Sequence, residues 1–297
     1  MKNIKLGIIL IIIVLVGAVF VLTPKESEEP ESAVWGEPTR MTNDIEVNSV
    51  QFLLDGRILF AGDGSIFVLS MSEGDAKKLF SHEGVRRANM NREGTKIVLD
   101  NDLDIFIANP DGSGLEPIAD DPNLFEFAIS FTPDGEAITF VVIDDANGVY
   151  KIRAMDPDGG NKRDIFTSSD VIFRHPRQSP DGSRISYFSI GMGKKPIIWI
   201  MDKNGENNLA LTDPAVDGVS RQASWSLDSS QFVFSSKKEG DFDIWTMDTT
   251  GAAKTRITSI PGDEGKPVFS PDGNSIAFVC SDCNGTTGSD IYIISKN

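Results

Sequence analysis

The sequence predicts an all-β fold, a six-bladed β-propeller with four antiparallel strands per blade, preceded by a transmembrane helix. Three observations predict it: a turn motif that recurs at blade-sized intervals, a second motif that follows it, and an apolar run at the N-terminus. Strand-like units with a period of about 40 residues are typical of propellers. The predicted segments are a cytoplasmic tip (1–5), a transmembrane signal-anchor (6–22), a disordered acidic stalk (23–37) and the propeller (38–297).

The N-terminus carries an uncharged apolar run, Leu6–Leu22, behind Lys2 and Lys5. As a helix this run spans roughly 25 Å, at the short end for a membrane span. It is longer than a typical secretory apolar region, and no A-x-A-like site follows, which favours an uncleaved anchor over a cleaved signal or a core helix. The lysines predict a single-pass protein of the cell membrane, with its N-terminus in the cytoplasm and the propeller on the extracytoplasmic side.

Composition limits the partners of the outer part of the chain. Lys and Arg number 28 against 44 Asp and Glu, a net charge of −16. Because phosphate binding needs clustered cations, nucleic acid is not predicted as a partner. The stalk is rich in Glu, Pro and Ser and cannot bury a core, which predicts disorder up to Glu37.

The first repeated motif is a strand–turn–strand unit, best formed in Phe269–Phe278, which reads F-S-P-D-G-N-S-I-A-F. Pro presets a turn dihedral angle, Asp accepts backbone N–H bonds, and Gly adopts the positive φ that other residues resist. An apolar residue ends the incoming strand, and an alternating run begins the outgoing one. Successive turns lie 38, 41, 47, 47 and 44 residues apart, at Gly56, Gly94, Gly135, Gly182, Ser229 and Gly273.

A second motif marks the third strand of a unit, as in D-I-W-T-M-D-T-T-G at Asp243–Gly251. A short fourth strand follows, which reads T-R-I-T at Thr255–Thr258. The sixth unit has no such strand after its third, but T-R-M-T at Thr39–Thr42 precedes the first unit. We therefore expect the N-terminal strand to complete the last blade, because closure removes the exposed edges of an open array.

These motifs resemble the TolB-like six-bladed β-propeller family, whose WD-repeat-like units carry the same F-S-P-D-G and D-I-Y/W-x-M-D patterns. The resemblance covers residues 38–297 and implies a fold rather than an activity. Similar repeats occur in the propellers of prolyl-oligopeptidase-type peptidases, which would imply serine hydrolase chemistry. That chemistry needs a Gly-x-Ser-x-Gly-like elbow, which the sequence lacks, so neither enzyme activity nor a cofactor is predicted.

Two further motifs are weak candidates for metal binding, and no metal site is predicted. Asp100, Asp102 and Asp104 alternate as calcium ligands can, but Ile105 stands where a calcium loop needs glycine, which favours a structural role. Two cysteines lie in C-S-D-C without a second pair or a nearby His. Outside the cell a local disulfide is favoured, with free thiols and redox or metal chemistry left open. The two residues are Cys280 and Cys283.

Cations recur where the chain enters the first strand of a unit, the strand that borders the central channel in a propeller. Four of the six units carry a cation either eight or seven residues before the turn glycine, or before Ser229 in the fifth unit. We predict a ring at the channel mouth that binds a carboxylate, a phosphate or an acidic peptide end. The alternative is that each Arg pairs with a carboxylate of the adjacent blade. The ring comprises Arg86, Arg87, Arg174, His175, Arg177, Arg221 and Lys266.

The function predicted from these features is that of a membrane-anchored, non-catalytic module that binds a protein or peptide of the cell envelope. Two alternatives stay open: a carbohydrate- or metal-dependent enzyme that uses the channel mouth, and a structural component of the cell surface. An enzyme would show converging carboxylates or a metal site at the mouth, whereas a binding module would show basic and apolar groups.

Overall fold

A computed structural model describes residues 34–43, 45–191, 194–285 and 288–297, and its strands form six four-stranded antiparallel sheets. A short strand, β1 (Thr39–Arg40), comes first in the chain. The strands of blades 1 to 3 are β2 (Val47–Phe52), β3 (Ile58–Gly62), β4 (Ser65–Leu69) and β5 (Ala76–Ser81); β6 (Arg87–Met90), β7 (Ile97–Asp100), β8 (Ile105–Ala108) and β9 (Glu116–Ala119); and β10 (Phe125–Phe131), β11 (Ile138–Asp144), β12 (Val149–Met155) and β13 (Arg163–Ser168). Those of blades 4 to 6 are β14 (Val171–Gln178), β15 (Arg184–Gly191), β16 (Ile197–Asp202) and β17 (Leu209–Ala210); β18 (Ser220–Trp225), β19 (Gln231–Ser236), β20 (Asp243–Asp248) and β21 (Thr255–Arg256); and β22 (Asp263–Phe269), β23 (Ser275–Ser281) and β24 (Ser289–Ser295), which β1 completes.

The six sheets form a closed ring, because the first strand of each blade contacts the first strand of the next and β22 contacts β2. In the sixth blade the strand order is β1-β24-β23-β22, with Thr39 of β1 opposite Ile293 of β24. The predictions of six blades, of four antiparallel strands in each, and of closure by the N-terminal strand are confirmed. One cluster of buried apolar side chains fills each of the six junctions between neighbouring blades. Each blade therefore buries its faces only against its neighbours, as in other repeat proteins.

The T-R-x-T motif of the fourth strands forms the contacts that hold the outer edge of a blade. In blade 6, Arg40 Nε donates a hydrogen bond of 3.0 Å to the carboxylate of Asp290, which opens the third strand. The Ile291 N–H then donates to Thr42 Oγ1 at 2.9 Å. The repeated third-strand Asp is thus a structural partner of the fourth-strand Arg. In blade 5 the corresponding residues are Arg256, Asp243, Ile244 and Thr258, with both hydrogen bonds at 2.8 Å.

Glycines of the second motif allow successive blades to approach closely. Gly205 has φ +86°, and a Cβ added there would lie 2.1 Å from the carbonyl oxygen of Ile165 in the preceding blade. Gly251 has φ +82°, and a Cβ would lie 2.5 Å from the carbonyl oxygen of Leu211. Since both positions need a left-handed backbone and no side chain, this glycine serves the packing between blades as well as the turn.

Hydrogen bonds from side chains to the main chain link neighbouring first strands at all six junctions. Some of these side chains donate to a carbonyl oxygen of the neighbouring strand, and others accept from its N–H. We call this set the channel belt. Its bonds, in ring order, are Met90 N to Gln51 Oε1 (2.8 Å), Phe131 N to Asn89 Oδ1 (2.8 Å), Arg177 Nη1 to Ile129 O (2.7 Å), Trp225 Nε1 to Arg177 O (3.1 Å), Lys266 N to Gln222 Oε1 (2.9 Å) and Lys266 Nζ to Val47 O (2.8 Å).

The compact unit that contains the propeller begins at Trp35, before the predicted boundary at residue 38. Trp35 forms an isolated antiparallel bridge with Lys296, and the Gly36 N–H donates to the Ser295 carbonyl at 2.9 Å. The last residues of the predicted stalk are therefore attached to the sixth blade. The predicted membrane span, Leu6–Leu22, lies outside the described residues. Within the ranges that are described, no helix has the length and apolar character needed to cross a membrane.

Substitution Gly205→Ala is expected to lower the free energy of unfolding by about 2–4 kcal/mol, because it adds a backbone clash to the cost of a positive φ. The matched control is Gly56→Ala, since Gly56 has φ +84° but nothing within 4 Å of the added Cβ. That variant is expected to lose only about 1–2 kcal/mol. Chemical denaturation of both variants measures the difference, and equal losses would contradict the role of Gly205 in packing between blades.

Candidate functional site

The first strands of blades 3 to 6 carry a β-bulge where the sequence predicts the ring of cations, seen as register shifts against their second strands. One residue of each bulge has a left-handed backbone, which is uncommon for residues other than glycine. Bulges change the direction in which side chains point, and they occur often at functional sites. The left-handed residues are Ala128 (φ 61°), His175 (φ 49°), Gln222 (φ 58°) and Lys266 (φ 52°).

The structure divides the predicted ring into two sets of residues. The first, which we call the inner set, lines a cavity of about 40 Å³ between the first strands. The second, the outer set, does not line that cavity. The inner set is Arg87, His175, Arg177 and Lys266, and the outer set is Arg86, Arg174 and Arg221. The sequence therefore places the right strands at the channel, but neighbouring cations fall into two environments, in blade 4 on either side of the bulge.

Three members of the inner set, all but Arg87, are held by neutral groups. Arg177 and Lys266 donate belt hydrogen bonds to main-chain carbonyl oxygens, and the His175 ring stacks on Phe188 with centroids 5.5 Å apart. Burial, together with the charge of Arg87, lowers the pKa of Arg177 to about 10. Burial also lowers the pKa of Lys266 to about 8, with Arg87 contributing again. The cavity is therefore lined by partly buried cations.

Burial is also the main cause that moves the pKa of His175 well below its usual value, and the charge of Arg87 adds to it. The imidazole is therefore neutral at neutral pH. A neutral imidazole carries one N–H donor and one acceptor, so His175 offers the channel a hydrogen-bond donor but no charge.

Arg87 is paired with two carboxylates of its own blade, not of the adjacent blade. Its Nη1 lies 2.7 Å from Asp100 and 2.7 Å from Asp102. The Asp100 side chain is fully buried and also accepts a hydrogen bond from the Ala128 N–H of blade 3 at 3.1 Å. Burial lowers the pKa of Arg87, but Asp100 and Asp102 raise it by more, so Arg87 stays charged. Two members of the D-N-D-L-D motif therefore have a structural partner, and Arg86 lies 3.5 Å from the second of them.

Arg174 and Arg221 of the outer set lie over aromatic rings instead of beside carboxylates. The guanidinium carbon of Arg174 is 4.5 Å from the centroid of Phe127, and that of Arg221 is 3.7 Å from the centroid of Phe242. Among the described residues, Arg174 Nη1 and Arg221 Nε are buried donors without a hydrogen-bond partner. Burial lowers the pKa of both side chains. An unmade hydrogen bond at a buried polar atom costs about 1–3 kcal/mol, so an acceptor supplied by a ligand would be favourable here.

A pocket of about 450 Å³ lies beside Arg174 at this mouth of the channel. Phe127 of blade 3 contacts two cations, because the guanidinium carbon of Arg87, in blade 2, also lies 5.5 Å from its ring centroid. Arg221 does not line this pocket. The structure therefore brings Arg87 and Arg174 together, whereas Arg221 lies over a different aromatic side chain, Phe242. The pocket combines two arginines and two aspartates with apolar walls. Its lining residues are Arg87, Asp102, Phe125, Phe127, Ile143, Asp145, Ile172 and Arg174.

The end of the channel formed by the turns has a different chemistry. A cavity of about 580 Å³ lies there among the first motifs of several blades. Its walls combine apolar side chains with polar and charged ones, and two of its leucines, Leu54 and Leu227, are about half exposed. Its apolar lining includes Phe52, Leu53, Leu54, Phe131, Pro180 and Leu227. The strand-entry end carries Arg87, Arg174 and Arg221 over aromatic rings, and we call it the cationic mouth. The turn end instead presents half-exposed leucines.

Glu264 is a buried ionisable residue that the sequence analysis did not single out. It is 0% exposed, and its Oε2 accepts hydrogen bonds from the Ile244 N–H at 3.1 Å and from the Thr258 hydroxyl. Burial raises its pKa to about 7, and the nearby charge of Asp243 adds to this effect. Glu264 thus joins blade 6 to blade 5. A glutamate in an acidic sequence carries no local signal of burial, so only the packing of blades reveals it.

A disulfide joins Cys280 and Cys283, which are buried beside the last junction of the ring. Among the described residues, no group of three or more His, Cys, Asp or Glu side chains is placed to hold a metal ion.

Comparison with known proteins identifies the relatives of this propeller. The family model described as TolB beta propeller domain matches residues 136–297. A protein named Protein TolB homolog, from Chlorobium chlorochromatii (strain CaD3), is 33% identical over 140 residues, which are 47% of this chain and 30% of that protein. The matched segment therefore spans less than a third of this relative.

Solved structures share the fold at lower sequence identity. The TolB structure from Agrobacterium tumefaciens superposes with a TM-score of 0.64 and 18% identity, covering 86% of this chain and 92% of that one. An oligogalacturonate lyase from Vibrio parahaemolyticus superposes with a TM-score of 0.63 and 14% identity, covering 87% and 93% of the two chains. At these identities the likeness extends to the fold alone.

Substitution Asp100→Asn is expected to lower the free energy of unfolding by about 3 kcal/mol, because it leaves the Arg87 charge buried without its fully buried counter-charge. The control is Asp102→Asn, which removes a carboxylate at the same 2.7 Å distance whose side chain is 46% exposed. Its loss is expected to stay below about 1 kcal/mol. Urea denaturation measures both values, and a larger loss for Asp102→Asn would overturn the assignment of Asp100 as the main partner.

The raised pKa of Glu264 predicts that stability falls as pH rises. The carboxyl group titrates near its usual value of 4.5 when unfolded and at about 7 when folded. Its contribution is therefore complete below pH 4.5 and lost by the time the pH has passed about 7, a fall of about 1–3 kcal/mol. The variant Glu264→Gln is expected to remove this part of the pH dependence of the melting temperature. An unchanged pH profile would show that Glu264 ionises freely in the folded state.

Proposed function

Because the chain belongs to the TolB β-propeller domain family, we propose that it is a non-catalytic module that binds a protein or peptide of the cell envelope. The observation that carries the proposal is the cationic mouth of the channel, where Arg174 covers Phe127 and keeps a buried donor unpaired. The ligand is a peptide segment with a carboxylate, from an acidic side chain or a C-terminus.

The pocket beside Arg174 supports this type of ligand. A carboxylate in the pocket can accept hydrogen bonds from the guanidinium of Arg174, which lines it, and hydrogen bonds of this kind are the stronger ones. The apolar walls, with Phe125 and Ile172, suit a neighbouring apolar side chain of the same peptide. Arginines over aromatic rings in partly desolvated pockets are the type of residue that dominates binding energy at protein interfaces.

An enzyme at the same mouth is the alternative, and its support is the fold that this chain shares with enzymes such as the oligogalacturonate lyase. Such an enzyme would need converging carboxylates or metal ligands. The two carboxylates that line the pocket are Asp102, which pairs with Arg87, and Asp145. The chemistry of the mouth therefore favours binding over catalysis.

The proposed location is the extracytoplasmic side of the cell membrane, with residues 6–22 as the anchor. This part of the proposal rests on the apolar run and on the lysines that precede it. The partner would then be a protein of the cell envelope.

The test compares two labelled libraries of short random peptides. The acidic library contains Asp or Glu residues and has free C-termini, whereas the neutral library contains Asn or Gln in their place and has amidated C-termini. The full chain is expected to retain the acidic library selectively. Arg174→Gln is expected to lower the affinity for the retained peptides about tenfold or more, because it removes the charged donor. Arg184→Gln is the matched control, since Arg184 is an exposed cation at the turn end of the same blade.

Equal retention of both libraries, or unchanged affinity in Arg174→Gln, would overturn the proposal. A further variant, Leu227→Asp, changes the cavity at the opposite end of the channel. Loss of binding in Leu227→Asp with full binding in Arg174→Gln would place the peptide site at the opposite end and contradict the cationic mouth.

A further inference from the structure

The inner set forms a second site that is separate from the pocket at the mouth. We propose that the cavity enclosed by Arg87, Arg177 and Lys266 binds one small monovalent anion of the halide class. This proposal does not rest on the proposed function, because the cavity and the pocket beside Arg174 differ in lining and in size. Only Arg87 lines both.

The charges around the cavity are unbalanced. Asp100, with part of Asp102, neutralises Arg87. Arg177 and Lys266 donate to carbonyl oxygens, which satisfy hydrogen bonds but carry no counter-charge. No carboxylate lines the cavity in the described part of the chain. Asp100 acts on Arg177, and Glu46 on Lys266, only at longer range than an ion pair. Partly buried cations without a carboxylate in contact are costly, so a bound counter-ion would stabilise the folded ring.

The size of the cavity selects a small ligand. A volume of about 40 Å³ holds a monatomic anion with one or two waters, since a single water needs about 10–15 Å³ by the same measure. A peptide segment does not fit. A larger divalent oxyanion such as sulfate would also have to lose a strongly held hydration shell against the apolar walls, Val50 and Val268.

Neutral donors complete the site. The cavity is also lined by Ser49, Ser224 and Gln222, whose side chains carry hydroxyl or amide donors. His175 adds the N–H of a neutral imidazole. Several N–H and O–H donors around one small volume, with two fixed cations, suit a weakly hydrated anion better than a cation or a neutral solute.

Binding at this cavity would be coupled to closure of the ring. Arg177 bridges blades 4 and 3, and Lys266 bridges blades 6 and 1 through the channel belt. The cations are therefore in place only when the ring is closed, and an anion that binds only the folded state raises the melting temperature by mass action.

The experiment measures thermal unfolding of the full chain in sodium bromide and in sodium gluconate at equal ionic strength. Bromide is expected to raise Tm by about 5–10 °C once its concentration reaches a hundred times the dissociation constant. Gluconate, which is too large for the cavity, is expected to leave Tm unchanged. Lys266→Gln is expected to lose the bromide effect, whereas Lys77→Gln, the same change on the outer strand β5, is expected to keep it.

Because Lys266→Gln also removes a belt hydrogen bond, a second measurement uses the unaltered chain. Crystals grown in bromide are expected to show an anomalous scattering peak within about 3.5 Å of Lys266 Nζ, the reach of a hydrogen bond to a large anion. Equal Tm increases in bromide and gluconate, a bromide effect that survives in Lys266→Gln, or no peak in the channel would each overturn the proposal. Peptide retention through Arg174 is measured separately, so failure of either proposal is distinguishable.

Discussion

Closure of the ring at the channel is the constraint on which the rest of the structure depends. No blade can bury both faces alone, so each junction must be completed before any blade is stable. The outer edge is closed by β1, whose Arg40 reaches Asp290 of the last third strand. The inner edge is closed by the channel belt, in which side chains bond to the main chain of the next first strand. Without these bonds, the main-chain groups that face the channel would be buried and unpaired.

The belt explains why a net-acidic protein concentrates positive charge at its centre. Long side chains with several donors are suited to cross from one first strand to the next, and Arg177 and Lys266 do so at two of the six junctions. Their charge is buried as a consequence, which lowers their pKa values. The outer set has no such bond to make. Arg174 and Arg221 rest on aromatic rings and keep a donor unpaired, so they can bind a partner without loss of closure.

The sequence predicts the architecture well because its signals are local and repeated. The F-S-P-D-G turn and the T-R-x-T strand each encode their own contacts, and T-R-M-T at the N-terminus matches a partner far along the chain. The site is predicted only in part. The register of the first strands places six cations and His175 near the channel, but the bulges of these strands occur at residues such as Ala128 and Gln222, whose types do not predict a left-handed backbone. The burial of Glu264 depends on the neighbouring blade, which no local pattern records.

Chemistry in this propeller therefore resides where the blades differ. Glycines of the second motif recur because successive blades make the same close contact there, as at Gly159, Gly205 and Gly251. The third-strand aspartates of blades 5 and 6 likewise make the same contact with a fourth-strand arginine. The belt can be completed by an amide, an indole, a guanidinium or an ammonium group, since each supplies one hydrogen bond across the junction. Closure thus constrains the hydrogen bond and leaves the charge free to vary. A channel built in this way can acquire a cationic interior and an unpaired arginine at its mouth while the six-bladed frame stays the same.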